Sequence, residues 1–222
     1  MRTRRAGRRE YIASRRAGVG CVPTVSTRSD PIALFQDWLE AAHHVGLPEP
    51  SAAALATVGA DGQPSARMIL LRGIDERGFV FFTNLMSRKG RELLRPGLAP
   101  LASLCFYWPP LARQVRVEGR AEQIADSEAD EYWATRPRGN QVAAYASPQS
   151  EPLPGGRREL ETRFAEWERR LPAKDIPRPE FWSGFRVVPR SVEFWEGREN
   201  RLHRRVLYIK SDAGWDETTL AP

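Results

Sequence analysis

The stretch RMILLRGIDERGFVFFTN, residues 67–84, contains two apolar runs separated by a polar turn signal. Alternate residues of an extended strand share one face. The two faces of the first run would be formed by Arg67, Ile69 and Leu71, and by Met68, Leu70 and Arg72. Because the glycines and charged residues of GIDERG favour a reversal of the chain, the stretch predicts an antiparallel hairpin with an arginine near each end of its first strand.

Further strand-like runs flank this hairpin. They cover residues 52–58, 65–72, 78–83, 101–107 and 113–124, and then 184–188, 191–196 and 205–210. One helix is predicted directly after the start signal Ser29-Asp30-Pro31. Further helices are predicted over residues 87–94, 127–135 and about 157–171, with a loop at 148–156. Because no long helix separates the first strands, an antiparallel meander or barrel is favoured over βαβ units. We therefore expect residues 29–222 to form one α+β domain, a barrel with peripheral helices.

Composition restricts the class of protein. The chain has 222 residues, of which 41% are hydrophobic and 28% charged, as is ordinary for a globular protein that buries one core. No run approaches the roughly 18 consecutive apolar residues of a membrane span, and no signal-peptide core lies near the N-terminus. Two cysteines, Cys21 and Cys105, cannot make a disulfide framework. We expect a cytoplasmic protein with no membrane partner.

The net charge of +6 comes from the N-terminal segment. Residues 1–30 hold eight arginines against two acidic residues, whereas the rest of the chain carries 26 basic and 26 acidic groups. We expect residues 1–28 to form a mobile basic arm and the body not to bind nucleic acid. Nucleic-acid binding through the arm and an organellar transit peptide remain the alternatives.

Polar and basic residues directly follow the second strand of the hairpin. Ser87 could cap a helix whose first turn carries Arg88 and Lys89, so that backbone N–H groups and two cations would meet Arg67 across the hairpin. Arginines that snorkel from strand ends are the alternative interpretation. Two cationic sites at one hairpin favour a phosphorylated ligand, although other anions would fit equally well.

Two segments further on could contribute to the same ligand. Gln114 lies in a predicted strand, where it could contact the polar edge of a heterocycle or simply face solvent. Tyr132 and Arg136 lie at i and i+4 and therefore share one helical face. An aromatic ring beside an arginine can stack on a flat ligand and hold its phosphate, although a packed amphipathic helix has the same spacing.

A last cluster lies near the C-terminus in VEFWEGRENRLHRRVLY. An extended strand would project Arg201, His203 and Arg205 together, close in sequence to Trp195. A polar edge strand is the alternative. No metal-ligand spacing, P-loop or GxGxxG fingerprint occurs, so neither a metal site nor a Rossmann dinucleotide site is predicted.

Taken together, these segments resemble the pyridoxine (pyridoxamine) 5′-phosphate oxidase family. The resemblance runs from about Asp30 to Pro222 and extends into the arm through RREY, residues 8–11. It implies an antiparallel split β-barrel that binds FMN at a homodimer interface. It also implies oxidation of pyridoxine or pyridoxamine 5′-phosphate to pyridoxal 5′-phosphate, with O2 as acceptor and hydrogen peroxide as product.

The resemblance also implies roles for individual residues. The implied FMN contacts are Arg67, Met68, Ile69, Leu70, Leu71, Arg72, Phe82, Thr83, Arg88, Lys89, Gln114, Gln149, Ser150, Trp195 and Arg205. The implied substrate contacts are Arg8, Tyr11, Arg72, Tyr132, Arg136, Asn140, Arg201 and His203. Arg201 and His203 would cover the substrate over the flavin as the catalytic pair, and the arm would close the site.

Three positions depart from the family pattern. Arg72 stands where a lysine is usual, Phe82 where a tyrosine is usual, and Asn140 where a serine is usual. The guanidinium of Arg72 keeps the charge of an ammonium but is larger and forked. The three changes bear on substrate choice and not on FMN binding. The related phenazine-biosynthesis branch and a split-barrel protein that binds flavin or haem without oxidase turnover are the alternative functions. The motifs RREY, RPR and RLH favour the vitamin B6 branch.

Overall fold

The computed structural model describes residues 30–97 and 99–222. The proposed arm at residues 1–28, with Arg8 and Tyr11, lies outside the described residues.

The described chain builds one nine-stranded, wholly antiparallel sheet. The strands are β1 Ala52–Val58, β2 Pro64–Leu70, β3 Gly73–Asp75, β4 Gly78–Asn84, β5 Leu101–Trp108, β6 Arg113–Gln123, β7 Trp182–Glu196, β8 Arg204–Ser211 and β9 Gly214–Leu220. Their order is β2-β1-β5-β6-β7-β4-β3, and β8 pairs with both β7 and β9. The two main strands of the hairpin predicted for residues 67–84 are therefore not paired with each other, because β2 lies at one end of this order and β4 lies next to the other end.

Strand β7 connects the two halves of the sheet. Its first part pairs with β4 and its second part with β8, while β6 pairs with residues 185–196. The prediction of two separate strands at 184–188 and 191–196 was wrong, because a register irregularity at Glu118/Gly119 bends one strand without ending it. A Cβ at position 119 would lie 2.0 Å from the Val188 carbonyl oxygen, so only glycine allows this approach.

Helix α1, Pro31–His44, closes the core on one side of the sheet. The Asp30 carboxylate caps it by accepting a hydrogen bond of 2.9 Å from the backbone N–H of Ile32. Phe35 is fully buried and makes edge contacts with Phe79 of β4 and Phe106 of β5, with ring centroids 4.9 and 4.8 Å apart. Such pairs add about 0.5–1.5 kcal/mol each beyond the burial of apolar area.

The other helices lie around residues that the sequence singled out. They are α2 Arg88–Leu93, α3 Asp126–Thr135, α4 Arg138–Ala146 and α5 Gly156–Arg170. Helix α4 and strands β3 and β9 were not predicted, because α4 carries Gly139 and Asn140 in its first turn, and the two strands are either very short or mainly polar. Strand β2 ends at Leu70, two residues earlier than expected. Among the helices in the described ranges, none is long and apolar enough to cross a membrane.

Candidate functional site

A groove of about 1010 Å³ lies between β2, the β4–α2 connection, helices α3 and α4, and the loop after α4. Most of the predicted site residues line it. These are Arg67, Met68, Ile69, Leu70, Arg72, Phe82, Thr83, Arg88, Lys89, Tyr132, Arg136, Asn140, Gln149 and Ser150. Segments distant in sequence therefore meet at one concave surface, as expected of a small-molecule site.

The turn from β4 into α2 sets the position of the two basic residues at one end of the groove. The Ser87 hydroxyl caps α2 by accepting a hydrogen bond of 3.3 Å from the backbone N–H of Gly90, as predicted. A Cβ at position 90 would lie 2.2 Å from the Leu85 carbonyl oxygen, so this tight connection requires glycine. Arg88 and Lys89 consequently occupy the first turn of α2 beside the end of β4.

Lys89 is buried, unlike the exposed Arg88. Its Nζ donates hydrogen bonds to the hydroxyls of Thr83 at 3.2 Å and Ser87 at 3.4 Å. The Thr83 hydroxyl in turn donates to Gln149 Oε1 at 3.4 Å. Burial, and then the positive charge of Arg67, lower the pKa of Lys89. An anion at this end of the groove would offset both effects and favour the charged ammonium.

Arg67 is held by a network that the sequence did not reveal. Its Nη1 donates to the Leu55 carbonyl oxygen at 3.3 Å and to the Thr57 hydroxyl at 2.5 Å. Its Nη2 donates to the Ser65 hydroxyl and, at 3.3 Å, to Glu92 Oε2. The pairing of Thr57 with Ser65 across β1 and β2 brings these groups together. Two features of the sequence could have indicated this network. They are the i,i+4 spacing of Arg88 and Glu92 and the alternation of Ser65 and Arg67 along one strand face.

Aromatic rings form the other end of the groove. Phe82 stacks on Tyr132 with ring centroids 3.9 Å apart and on Trp182 with centroids 5.3 Å apart. The Arg136 guanidinium lies 4.7 Å from the Trp182 ring centroid. Trp182 was missed, because a tryptophan in a strand is typical of a core residue. The stack fixes Tyr132 and Arg136 side by side.

Arg136 is the cation at this aromatic end. Its Nη2 donates a hydrogen bond of 3.0 Å to the Asn140 carbonyl oxygen. Its Nε is buried and has no hydrogen-bond partner in the described part of the chain. Burial lowers the pKa of Arg136. A half-buried guanidinium with a buried, unpaired Nε–H is what an anionic ligand would satisfy.

Leu71 departs from its expected place. It is 5% exposed and belongs to the main apolar core, and its side chain does not line the groove. Because β2 ends at Leu70, the alternation that would have placed Leu71 beside Ile69 does not continue. Arg72, the next residue, is exposed and does line the groove.

Five predicted site residues form a separate group, which we call the C-terminal cluster: Gln114, Trp195, Arg201, His203 and Arg205. None of the five lines the groove of this chain. Gln114, Trp195 and Arg205 face each other in register across β6, β7 and β8. Arg205 Nε donates to Glu193 Oε1 at 2.7 Å.

A tight turn presents Arg201 and His203 next to this row. The expectation that one extended strand carries Arg201, His203 and Arg205 was wrong, because β8 begins only at Arg204. Asn200 and Arg201 adopt left-handed φ angles of 55° and 61°, which for non-glycine residues is typical of functional turns. The His203 ring lies 4.7 Å from the Trp195 ring, and its Nδ1 accepts a hydrogen bond of 3.2 Å from the Arg198 N–H.

Exposed apolar side chains lie in this row and in a neighbouring row of the sheet. Tyr107 pairs with Gln114, and Cys105 pairs with Ala54, which in turn pairs with Met68. Tyr107 is 57% exposed and Met68 is 65% exposed. Exposed apolar residues that form a continuous patch are typical of a protein interface.

Comparison with known proteins identifies the family. A family model described as pyridoxamine 5′-phosphate oxidase matches residues 39–170. A second model, described as the pyridoxine 5′-phosphate oxidase C-terminal dimerisation region, matches residues 182–222. The chain belongs to the pyridoxamine 5′-phosphate oxidase family. The first match contains most of the groove, and the second contains all of the C-terminal cluster except Gln114.

Relatives within the pyridoxamine 5′-phosphate oxidase family align with nearly the whole chain. A pyridoxine/pyridoxamine 5′-phosphate oxidase of Rubrobacter xylanophilus is 52% identical over 97% of this chain and 94% of its own length. One of Cupriavidus pinatubonensis is 47% identical over 97% of both chains.

Solved structures of related proteins confirm the expected fold. PhzG of Burkholderia lata, solved with tetrahydrophenazine-1-carboxylic acid, is 36% identical and covers 91% of this chain and 98% of its own, with a TM-score of 0.83. An FMN-binding, pyridoxamine 5′-phosphate oxidase-related protein of Nostoc punctiforme is 20% identical over 85% of this chain and 97% of its own, with a TM-score of 0.69. The α+β antiparallel split β-barrel with peripheral helices is therefore confirmed.

Proposed function

We propose that this chain is an FMN-dependent oxidase of pyridoxine 5′-phosphate or pyridoxamine 5′-phosphate. The product is pyridoxal 5′-phosphate, O2 is the electron acceptor and hydrogen peroxide is released; with pyridoxamine 5′-phosphate, water is also consumed and the amine leaves as ammonia. The observation that carries the proposal is a groove with cations at both ends and apolar side chains between them, which suits a flavin phosphate at one end and a substrate phosphate at the other. Relatives named for this activity are 52% identical, against 36% for PhzG.

The residues present fit FMN. Arg67, Arg88 and Lys89 supply three cations at the α2 end, partly offset by Glu92, and Thr83 adds a hydroxyl. Ile69 and Leu70 of β2 lie farther along the groove, where they would contact the apolar face of the ring. When bound, FMN supplies the acceptor for two electrons and returns them to O2.

The substrate phosphate belongs at the aromatic end. Arg136 offers a buried, unpaired Nε, and Arg72 is exposed on the groove wall. Tyr132, held in place by Phe82, and Asn140 complete this seat. Fixing one phosphate at each end orients two flat rings face to face, and such positioning can contribute about 7–11 kcal/mol to catalysis.

A second copy of the chain completes each site in this proposal. The C-terminal cluster lies outside its own groove, and all of it except Gln114 lies in the region matched by the dimerisation model. In a homodimer the cluster of one chain covers the groove of the other, so Arg201 and His203 position the reacting substituent and hold its proton. The arm, with Arg8 and Tyr11, closes the site from outside. The enzyme would work in the cytoplasm, the compartment that two cysteines favour.

The test is peroxide release by the FMN-loaded protein with three substrates in parallel. Pyridoxine 5′-phosphate and pyridoxamine 5′-phosphate should each give stoichiometric peroxide and pyridoxal 5′-phosphate, and a dihydrophenazine carboxylate should give at most slow turnover. Faster turnover of the dihydrophenazine would assign the chain to the phenazine branch. Flavin binding without peroxide from any of the three would leave a flavoprotein that is not an oxidase.

A further inference from the structure

Glu92 of α2 accepts hydrogen bonds from four side chains beneath the α2 end of the groove. Its carboxylate accepts from the Thr57 hydroxyl, from the Ser65 hydroxyl at 2.8 Å, from Arg67 Nη2 at 3.3 Å and from Arg88 Nε at 2.8 Å. The side chain is 8% exposed. Glu92 does not line the groove itself, whereas both arginines do.

These contacts decide which N–H groups of the two arginines can meet a ligand. Arg67 uses all four of its Nη hydrogens on Leu55, Thr57, Ser65 and Glu92, so only its Nε–H is left. Arg88 uses Nε on Glu92, and its two Nη groups have no partner within residues 30–97 and 99–222. Holding Arg88 by Nε leaves the Nη fork free for a phosphate.

The carboxylate has two opposed effects on an anionic ligand. Its negative charge repels a phosphate nearby, but its two oxygens anchor two guanidinium groups at once. Burial alone would raise the pKa of Glu92, but hydrogen bonds from Thr57, Arg88 and Ser65 lower it overall, so the group is ionised near neutral pH. Removing the charge of Glu92 therefore distinguishes two roles. The affinity for an anion should rise if Glu92 is only a counter-charge and fall if Glu92 positions the arginines.

We propose that Glu92 is a positioning residue that orients Arg67 and Arg88 toward the flavin phosphate and thereby sets the preference for FMN over riboflavin. The inference rests on the proposed function. Glutamine is the informative replacement because an amide has a single acceptor oxygen. Its NH2 group would face either Arg67 Nη2 or Arg88 Nε, and one arginine would lose its anchor. A residue that acted only as a counter-charge would give the opposite result, since removing the charge would tighten phosphate binding.

The experiment titrates flavin-free protein with FMN and with riboflavin, following flavin fluorescence. For Glu92→Gln we expect the Kd for FMN to rise about tenfold, a loss of about 1.4 kcal/mol, and the Kd for riboflavin to stay within about twofold. Glu161→Gln is the control, because Glu161 pairs with Arg157 at the same i,i+4 spacing on α5, outside the groove. It should change neither Kd. An unchanged or lower Kd for FMN in Glu92→Gln overturns the inference.

A double-mutant cycle tests whether Glu92 acts through the arginines. In an Arg88→Ala background one acceptor oxygen is enough for Arg67, so adding Glu92→Gln should change the FMN Kd by less than about twofold. A full additional tenfold loss would contradict a role through Arg88. If Glu92→Gln does not fold, Arg88→Lys replaces it. Lysine cannot donate to Glu92 through one N–H and also present a separate fork of N–H groups to the phosphate, so the Kd for FMN should again rise about tenfold. Normal FMN affinity in Arg88→Lys would also overturn the inference.

The wild-type titration separates this inference from the proposed function. If wild-type protein binds neither flavin, the proposed function and the inference both fail. If it binds FMN normally and Glu92→Gln does too, only the role of Glu92 fails.

Discussion

The groove and the C-terminal cluster differ in how their polar side chains are held. In the groove, Arg67 makes four hydrogen bonds to its own chain, and Arg136 is fixed against Trp182. In the cluster, Arg201 is exposed at the tip of a left-handed turn. The groove is already organised as a binding surface, whereas the cluster presents Arg201 outward from the same chain. This difference supports the proposal that one chain provides the phosphate-binding part of a site and that a second copy provides the rest.

Arg201→Leu, a change in the cluster alone, should produce the largest loss of activity. We expect turnover to fall about 10²–10⁴-fold, the range for loss of a group that assists proton transfer. The FMN Kd should stay within about twofold, because Arg201 is assigned to the substrate and is not among the residues assigned to FMN. Peroxide release and flavin titration on the same preparation measure both quantities. Equal loss of turnover and FMN affinity would remove the distinction between the two regions.

Arg88→Ala should show the reverse pattern, with its main effect on the cofactor. Losing the free Nη fork should weaken FMN binding by about 1.5–3 kcal/mol, or roughly 10–150-fold. Turnover at saturating FMN should change much less. Gel filtration with detection at the flavin absorbance measures retention, and unchanged retention would show that Arg88 does not hold the phosphate.

Arg186→Met should lower the thermal stability of the protein and leave the C-terminal cluster unchanged. Arg186 is 8% exposed on its side chain, and its Nη2 lies 2.9 Å from both Asp75 and Glu128, which ties β7 to the β3–β4 turn and to α3. We expect a fall in Tm of about 2–8 °C, for a loss near 1–2 kcal/mol. Thermal melts of flavin-free protein measure it, with Arg190→Met on the same strand as the exposed control. An equal fall in both variants would contradict a specific role for Arg186.

The same network predicts a direction for acid sensitivity. The hydrogen bond from Arg186 lowers the pKa of Glu128. A carboxyl whose pKa is lower in the folded state contributes stability that is present above its unfolded pKa, about 4.3, and is lost as pH falls through the folded value. Arg186→Met should therefore flatten the decline of Tm below about pH 4. A decline as steep as that of wild type would show that Arg186 does not set this pKa.

Phe82→Tyr should have the smallest effect. The added hydroxyl restores the residue usual in the family, and the ring can keep its stack on Tyr132. We expect KM for either B6 phosphate to change less than about threefold, since a mostly conserved stack loses little. A much larger change would place the hydroxyl in contact with substrate and make Phe82 a specificity residue.

Local features of the groove were predictable from the sequence, whereas the tight turn of the cluster was not. The Ser87 cap and the short helix with Arg88 and Lys89 follow from neighbouring residues, and the structure has them. The network around Glu92 was not predictable, because it needs the β1–β2 register that places Thr57 opposite Ser65. Whether a residue faces its own groove or away from it is a property of the folded sheet, so the sequence alone did not show that Trp195 lies outside the groove of its own chain.

If the groove of one chain and the cluster of another form one site, subunits damaged in different regions should complement each other in a mixed dimer. Arg72→Ala damages the groove and Arg201→Leu damages the cluster, and each homodimer alone should be nearly inactive. Mixing equal amounts and allowing subunits to exchange should restore about a quarter of wild-type turnover, because half the dimers are mixed and each then has one intact site. If turnover does not rise above that of the separate variants after exchange is complete, both sets of residues act within one chain and the account is wrong.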